Sequence, residues 1–359
     1  MSNSIKLFFF INLEIFRMFL NKLSVLSVVT VLCTSVASSS VFASEVNIYS
    51  ARKEALIKPI VDKFTAKTGI KVNLITGKAD ALLQRIISEG KHTHADLLIT
   101  TDAGRLYRAK KAGVLTALQS DMLNKAVPAN LRDPDNYWFG LTTRARPIFY
   151  VKGVVDVKEL STYEALATSK FKDRICIRSS NNIYNQSLVA SMYAANGKEK
   201  TQLWANAFVK NLAIKPKGGD RDQIKAAAAG QCDIAIANTY YFGAMIAGNK
   251  TKQKKAAAAM AIFWPNQNDR GTHVNVSGAG ITKHGKNKES AQKLLEFLAS
   301  KEAQHWYAAV NHEYPVRTDV EPSDLLKSWG SFKADSINLN QLGVNNANAV
   351  KIMDKAGWK

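Results

Sequence analysis

Val46-Asn47-Ile48-Tyr49-Ser50, then Leu56, Ile57, Ile60, Val61 and Phe64 within residues 53–67, then Gly69 and Ile70-Lys71-Val72-Asn73-Leu74-Ile75, read as strand, helix and strand. Apolar residues three and four apart put one stripe on a helix, while alternation puts one face of a strand in a core. Gly69 stands just past the periodic run, where a left-handed residue ends a helix. The unit then repeats. Residues 79–89 are periodic and end at Gly90, Ala95-Asp96-Leu97-Leu98-Ile99-Thr100 is a short buried strand, and residues 103–112 form the next helix. Helices of this length between strands imply crossover connections, a largely parallel sheet and an α/β fold.

A second block of the same kind lies further on. Residues 161–167, 186–195, 201–210 and 222–229 read as helices, and 241–247 as the start of another. Residues 174–177 and 233–237 read as strands. Extended stretches at 144–151 and 273–281 link the two blocks, which describes two lobes joined by a hinge that the chain crosses twice. The expected division is lobe one over 44–145, with 275–320 returning to it, and lobe two over 146–274. Helices at 289–298 and 303–310 belong to the returning part. Residues 321–359 form a C-terminal helical and polar segment with sparse periodicity. Lys250 to Lys255 carries four lysines in six residues and reads as a solvated loop.

Residues 1–43 read as an address. Lys22 precedes the apolar run Leu23 to Leu32, and Val41-Phe42-Ala43 offers light residues before a cut after Ala43. A membrane anchor is the alternative, but the run falls short of the ~20 residues of a span. Met18 could equally begin a complete signal peptide. Removing Lys6, Glu14, Arg17 and Lys22 lowers the net charge of +20 by 2, to +18. That balance points to anionic ligands, a membrane surface or nucleic acid. A nucleic-acid reading has only the charge behind it. Export also leaves two of the three cysteines, Cys176 and Cys232, in an oxidising compartment, each on an expected strand. A disulfide is the favoured reading there, and two buried thiols the other.

Catalytic signatures are absent. There is no Gly-x-Ser-x-Gly, Walker-type loop or His-Glu-x-x-His, and Gly278-Ala279-Gly280 lacks a third glycine in register. Ser179 and Ser180 have no histidine near them in sequence, so a hydrolase has no nucleophile and base. The tyrosines say more. Ile183-Tyr184-Asn185 and Asn238-Thr239-Tyr240-Tyr241 each follow a strand and open a helix. The carboxyl ends of strands are where open α/β sheets bind ligands. Residues ~100° apart at a helix start can converge on one point. Phenolate is a hard donor suited to a hard trivalent cation, and a phenol of pKa ≈ 10 ionises at neutral pH only beside such a charge. Arg52, Arg144, Arg146 and Arg178 lie near these loops and could hold phenolates and a bound anion.

Tyr49-Ser50-Ala51-Arg52, the run Arg178 to Ser187, Asn238 to Tyr241, Arg270 to Gly278 and Tyr314-Pro315-Val316 together resemble the periplasmic ferric-ion-binding proteins. The resemblance implies the two-lobed type II periplasmic binding protein fold, with mixed sheets flanked by helices. It implies no enzyme activity. It also implies a monomer in the periplasm that takes ferric iron into the cleft and delivers it to an inner-membrane ABC permease. Tyr184, Tyr240 and Tyr241 match the tyrosine ligands of that family. Its His-Tyr pair has no counterpart, because Lys53 and Glu54 occupy those positions. Arg52 replaces the histidine of another subfamily, and Asp102 is expected to cap the helix at Ala103 and not to bind metal. What remains resembles the three-tyrosine class completed by a synergistic anion such as carbonate, with Arg52 and Arg144 as its anchors. A binding protein of the same fold for a phosphonate or sugar phosphate is the alternative.

Overall fold

The computed structural model describes residues 44–359. The expected signal peptide, residues 1–43, lies outside the described residues. Among the described residues, ten strands form two sheets. β1 (Glu45–Ser50), β2 (Lys71–Thr76), β3 (Leu97–Thr101), β4 (Phe139–Ala145), β9 (Val274–Ile281) and β10 (Tyr314–Pro315) make a six-stranded sheet of order β10-β4-β9-β3-β1-β2. β5 (Ile148–Val151), β6 (Ile175–Cys176), β7 (Ile234–Ile236) and β8 (Met260–Phe263) make a four-stranded sheet of order β6-β7-β5-β8. This is the mixed-sheet, two-lobed architecture that the sequence implied.

The sheets are less parallel than the strand–helix alternation suggests. β2-β1-β3 and β6-β7 are parallel, but β9 runs antiparallel to both β3 and β4, and β5 runs antiparallel to β7 and β8. β9 enters the larger sheet from the other lobe and not through a helical crossover, so nothing forces it parallel. The chain passes between lobes after β4 and again before β9, and the Arg146 amide donates to the His273 carbonyl at 3.1 Å where the two passages meet. Gly278 and Gly280 on β9 are there for packing. A Cβ at either would lie 2.5 Å from a carbonyl oxygen, of Phe139 or Tyr137.

In chain order the helices are α1 (Lys58–Thr68), α2 (Ala79–Glu89), α3 (Ala103–Lys111), α4 (Asp121–Ala126), α5 (Ile183–Val209), α6 (Asp220–Ala228), α7 (Thr239–Ala247), α8 (Thr251–Ala258), α9 (Lys288–Leu298), α10 (Lys301–Asn311), α11 (Asp324–Lys327), α12 (Asn340–Val344) and α13 (Asn346–Lys355). α1 ends at Gly69 with φ 72°. The helices expected at 186–195 and 201–210 are the two halves of α5, separated at Gly197, whose φ of 75° and ψ of 176° break the helical path. The lysine-rich stretch expected as a loop is helix α8, because the alanines that follow it are strong helix formers.

The C-terminal segment is helical, as expected, and it also packs into both lobes. Leu339 and Leu342 pack into the core of the larger-sheet lobe, and Ala349, Ile352, Met353 and Trp358 into that of the smaller-sheet lobe. The chain therefore passes between the lobes a third time. Trp358 is fully buried and donates its indole N–H to the Arg178 carbonyl at 3.1 Å. Cys176 and Cys232 are joined by a disulfide, with Cα atoms 5.9 Å apart. Among the described residues, no helix is long and apolar enough to cross a membrane.

Candidate metal centre

Two asparagines set the position of the tyrosines. Asn182 caps α5, its side-chain oxygen accepting from the Tyr184 amide at 3.1 Å, so Tyr184 lies in the first helical turn. Asn238 is the residue before α7, which puts Tyr240 and Tyr241 in that helix's first turn. Helix N-termini carry partial positive charge and favour an anionic side chain there. Both helices start earlier than the apolar periodicity suggests: at α5 the Asn182 cap and not the first apolar residue decides the boundary, while the side chain of Asn238 caps nothing and accepts from Arg146 instead.

One buried arginine holds the two turns together. Arg146 donates to Asp220 Oδ2 at 2.8 Å, to Asn238 Oδ1 at 2.9 Å and to Asn185 Oδ1 at 2.6 Å. Asp220 also accepts from the Asn238 amide at 2.7 Å and from Arg178 at 3.2 Å. The sequence placed Arg146 and Arg178 beside the phenols as charges for them. The structure gives Arg146 a different task, since its donors go to the loops that carry the tyrosines.

The three phenols converge. Tyr240 Oη lies 3.3 Å from Tyr184 Oη, and the rings of Tyr240 and Tyr241 stand 4.2 Å apart. They line a cavity of about 400 Å³ with residues from the larger-sheet lobe, among them Arg52, Thr101, Arg144, Ser277, His312 and Glu313. A larger and more open hollow of about 540 Å³, lined by Phe242, Met260 and Trp329 with Lys152 and Lys254, has no His, Cys, Asp, Glu or Tyr in its wall. The chemistry selects the smaller one. Among the described residues, no group of three His, Cys, Asp or Glu side chains is placed to hold a metal ion. Phenol oxygens are therefore the donors to consider.

The two arginines expected to anchor an anion differ. Arg52 lines the cavity, but its Nη2 donates to Glu313 Oε2 at 2.6 Å and its guanidinium lies over the Tyr307 ring. Arg144 is 2% exposed, donates only Nη1, to Ser277 Oγ at 3.3 Å, and leaves Nε and Nη2 buried without a partner. Its guanidinium lies 5.9 Å from the centre of the Tyr184 ring. Buried unpaired donors are costly and imply a missing acceptor. Arg52 also leaves Nε unpaired but commits Nη2 to Glu313, so Arg144, with two unpaired nitrogens and no carboxylate partner, fits an anion better.

Tyr240 and Tyr241 hold their protons at neutral pH. Burial, then Tyr184 and Tyr241, raise the Tyr240 pKa well above the ordinary value, with Arg144 pulling the other way. Burial, then Tyr184 and Asp220, push Tyr241 up to about 12. Asp102 caps α3 through the Gly104 amide at 2.9 Å, and it also accepts from Ser187 on α5 at 2.8 Å and from Asn275 at 2.9 Å.

Sequence reasoning missed two residues of the cavity wall. His312 and Glu313 stand just before the Tyr314-Pro315-Val316 run, yet nothing in their spacing marks them. Glu313 accepts from Arg52 and from Thr142 at 3.0 Å. Burial holds the His312 imidazole below its ordinary pKa, against the opposing pull of Glu313.

"Iron uptake protein A1" of Synechocystis is 50% identical over 315 residues, 88% of each chain, and "Iron uptake protein A2" of the same organism is 40% identical over 316 residues, 88% of this chain and 90% of that one. The solved Trichodesmium protein IdiA (FutA), in complex with iron and citrate ligands, is 50% identical. It superposes with a TM-score of 0.86 over 88% of this chain and 100% of its own. Residues 49–305 match the bacterial extracellular solute-binding protein family, and the chain belongs to that family.

Proposed function

We propose that this protein captures ferric iron in the cleft between its lobes, in the periplasm, and delivers it to an inner-membrane ABC permease. One observation carries the reading: three phenol oxygens from two helix N-termini meet beside a buried arginine with unpaired guanidinium nitrogens. Tyr184, Tyr240 and Tyr241 act as phenolate ligands whose three charges cancel those of Fe(III). They leave half of an octahedral shell open. A bidentate anion, carbonate or a small carboxylate, takes two of the remaining positions and accepts from Arg144. The iron displaces the phenol protons as it binds, so capture is coupled to proton release. The role is binding and transfer, with no covalent step on the cargo.

The test is colour. Apo protein titrated with ferric citrate in bicarbonate buffer is expected to develop the visible charge-transfer band of ferric phenolate, with one iron per chain. Binding of a phosphonate or sugar phosphate, with no visible band after ferric loading, would favour the anion-binding alternative and overturn the reading.

A further inference from the structure

Three phenolates and a bidentate anion leave one position of an octahedral Fe(III) shell unfilled. Lys53 lines the cavity but is itself a cation, Glu54 does not line it, and Glu313 is engaged by Arg52 and Thr142. His312 is different. It lines the same cavity as Tyr184, Tyr240 and Tyr241, and its Nδ1 is buried without a hydrogen-bond partner.

The backbone fixes it there. His312 directly follows α10 in the left-handed region, φ 54° and ψ 37°, which non-glycine residues adopt uncommonly and Asn, Asp and His more readily than the rest. A non-glycine residue in that conformation is held by its surroundings. Asn311 on one side donates to the Leu56 carbonyl at 3.2 Å, and Glu313 on the other side is tied to Arg52 at 2.6 Å. Across the cleft, α7 comes so close that a Cβ on Gly243 would lie 2.7 Å from His312 Cβ. Gly243 is two residues past Tyr241, so His312 stands against the helix that carries two of the phenols.

We infer that His312 is the larger-sheet lobe's own ligand to ferric iron, a neutral imidazole nitrogen joining Tyr184, Tyr240, Tyr241 and the anion. This rests on the ferric reading above. Imidazole is a good ligand for iron, and a neutral one adds no charge to a shell that three phenolates have already balanced. It would also tie the two lobes through the metal directly, and not through the anion alone.

Pulsed EPR of the ferric-loaded mature chain tests this. The protein is loaded with ferric citrate, which contains no nitrogen, in bicarbonate buffer, with and without ¹⁵N-histidine labelling. The expected spectrum shows a nitrogen coupling from a directly bound imidazole that changes frequency on labelling and disappears in His312→Asn. Asparagine tolerates the left-handed backbone, so the variant is expected to keep the wild-type melting temperature without iron. It should also keep the phenolate band and hold iron about 10–100-fold more weakly in equilibrium competition with a chelator, at least the scale seen when support around a metal is removed. A wild-type sample with the visible band but no histidine nitrogen coupling overturns the inference and leaves the ferric reading standing. So does a coupling that survives in His312→Asn. A wild-type sample with no visible band removes both.

Discussion

Replacing Tyr241 by Phe isolates the cost of ionising one phenol. The ring stays, keeping its contact with Tyr240 at 4.2 Å and with the Arg221 guanidinium at 5.0 Å, so folding should be preserved. Only the donor oxygen and its proton are lost. With Tyr241 pushed up to about 12, ionising it at pH 7 lies about five pH units uphill, on the order of 7 kcal/mol at 1.36 kcal/mol per unit. Bound iron must more than offset that cost for Tyr241 to act as a ligand. Each phenol converted to phenolate releases one proton, so the logarithm of apparent iron affinity should rise by about one per pH unit for each such ligand. Three tyrosines give a slope of about three, plus whatever the anion contributes. In Tyr241→Phe the slope should fall by about one under the same anion, together with weaker binding and a shifted visible band. Competition against a chelator of known affinity across neutral pH measures this. An unchanged slope in the variant would refute the assignment of Tyr241 as a phenolate ligand, even if affinity fell.

Arg144→Gln should flatten the dependence of iron binding on bicarbonate, because it removes the two buried guanidinium nitrogens that lack an acceptor; Arg52→Gln should act less on the anion and more on the Glu313 side of the wall. A bicarbonate titration of Arg144→Gln that overlays the wild type would count against the anchor. Replacing Cys176 and Cys232 together by Ser should destabilise the chain in urea by up to about 4 kcal/mol, the loop-entropy value for cysteines 56 residues apart. Equal urea midpoints would refute that. Stability of the metal-free protein should also fall in alkali. Tyr240 and Tyr241 have folded pKa values above that of an unfolded phenol, so their contribution is complete below about pH 10 and is lost as pH rises through the folded values. Thermal melts of apo protein at rising pH, compared with the Tyr240→Phe, Tyr241→Phe pair, would show a flatter alkaline decline in the variant.

Much of this was legible in the chain because it depends on short-range pattern. The β1-α1-β2 unit follows from apolar spacing and the glycine after α1, and the tyrosines announce themselves by following strands and opening helices. The hub at Arg146 was not legible. Its partners Asn185, Asp220 and Asn238 are 39, 74 and 92 residues away, and no local pattern links them. The burial of the tail was not legible for a related reason. Its helices α12 and α13 are too short to show clear periodicity, and their burial comes from lobes made by distant residues.

By itself the sequence determined the α/β class, the pairing of two blocks, and which residue types could bind a hard cation. These are consequences of side-chain period, capping and donor chemistry, all carried by neighbours along the chain. Only the tertiary structure decided how the arginines divide their work. Burial and geometry gave Arg52 to Glu313, Arg146 to the tyrosine turns, and left Arg144 with donors free. It also brought His312 from the end of α10 against α7, across a cleft that exists only when the two lobes pack. A guanidinium's role depends on which acceptor reaches it first, and an imidazole's on what it faces. Both are settled by contacts between residues far apart in sequence.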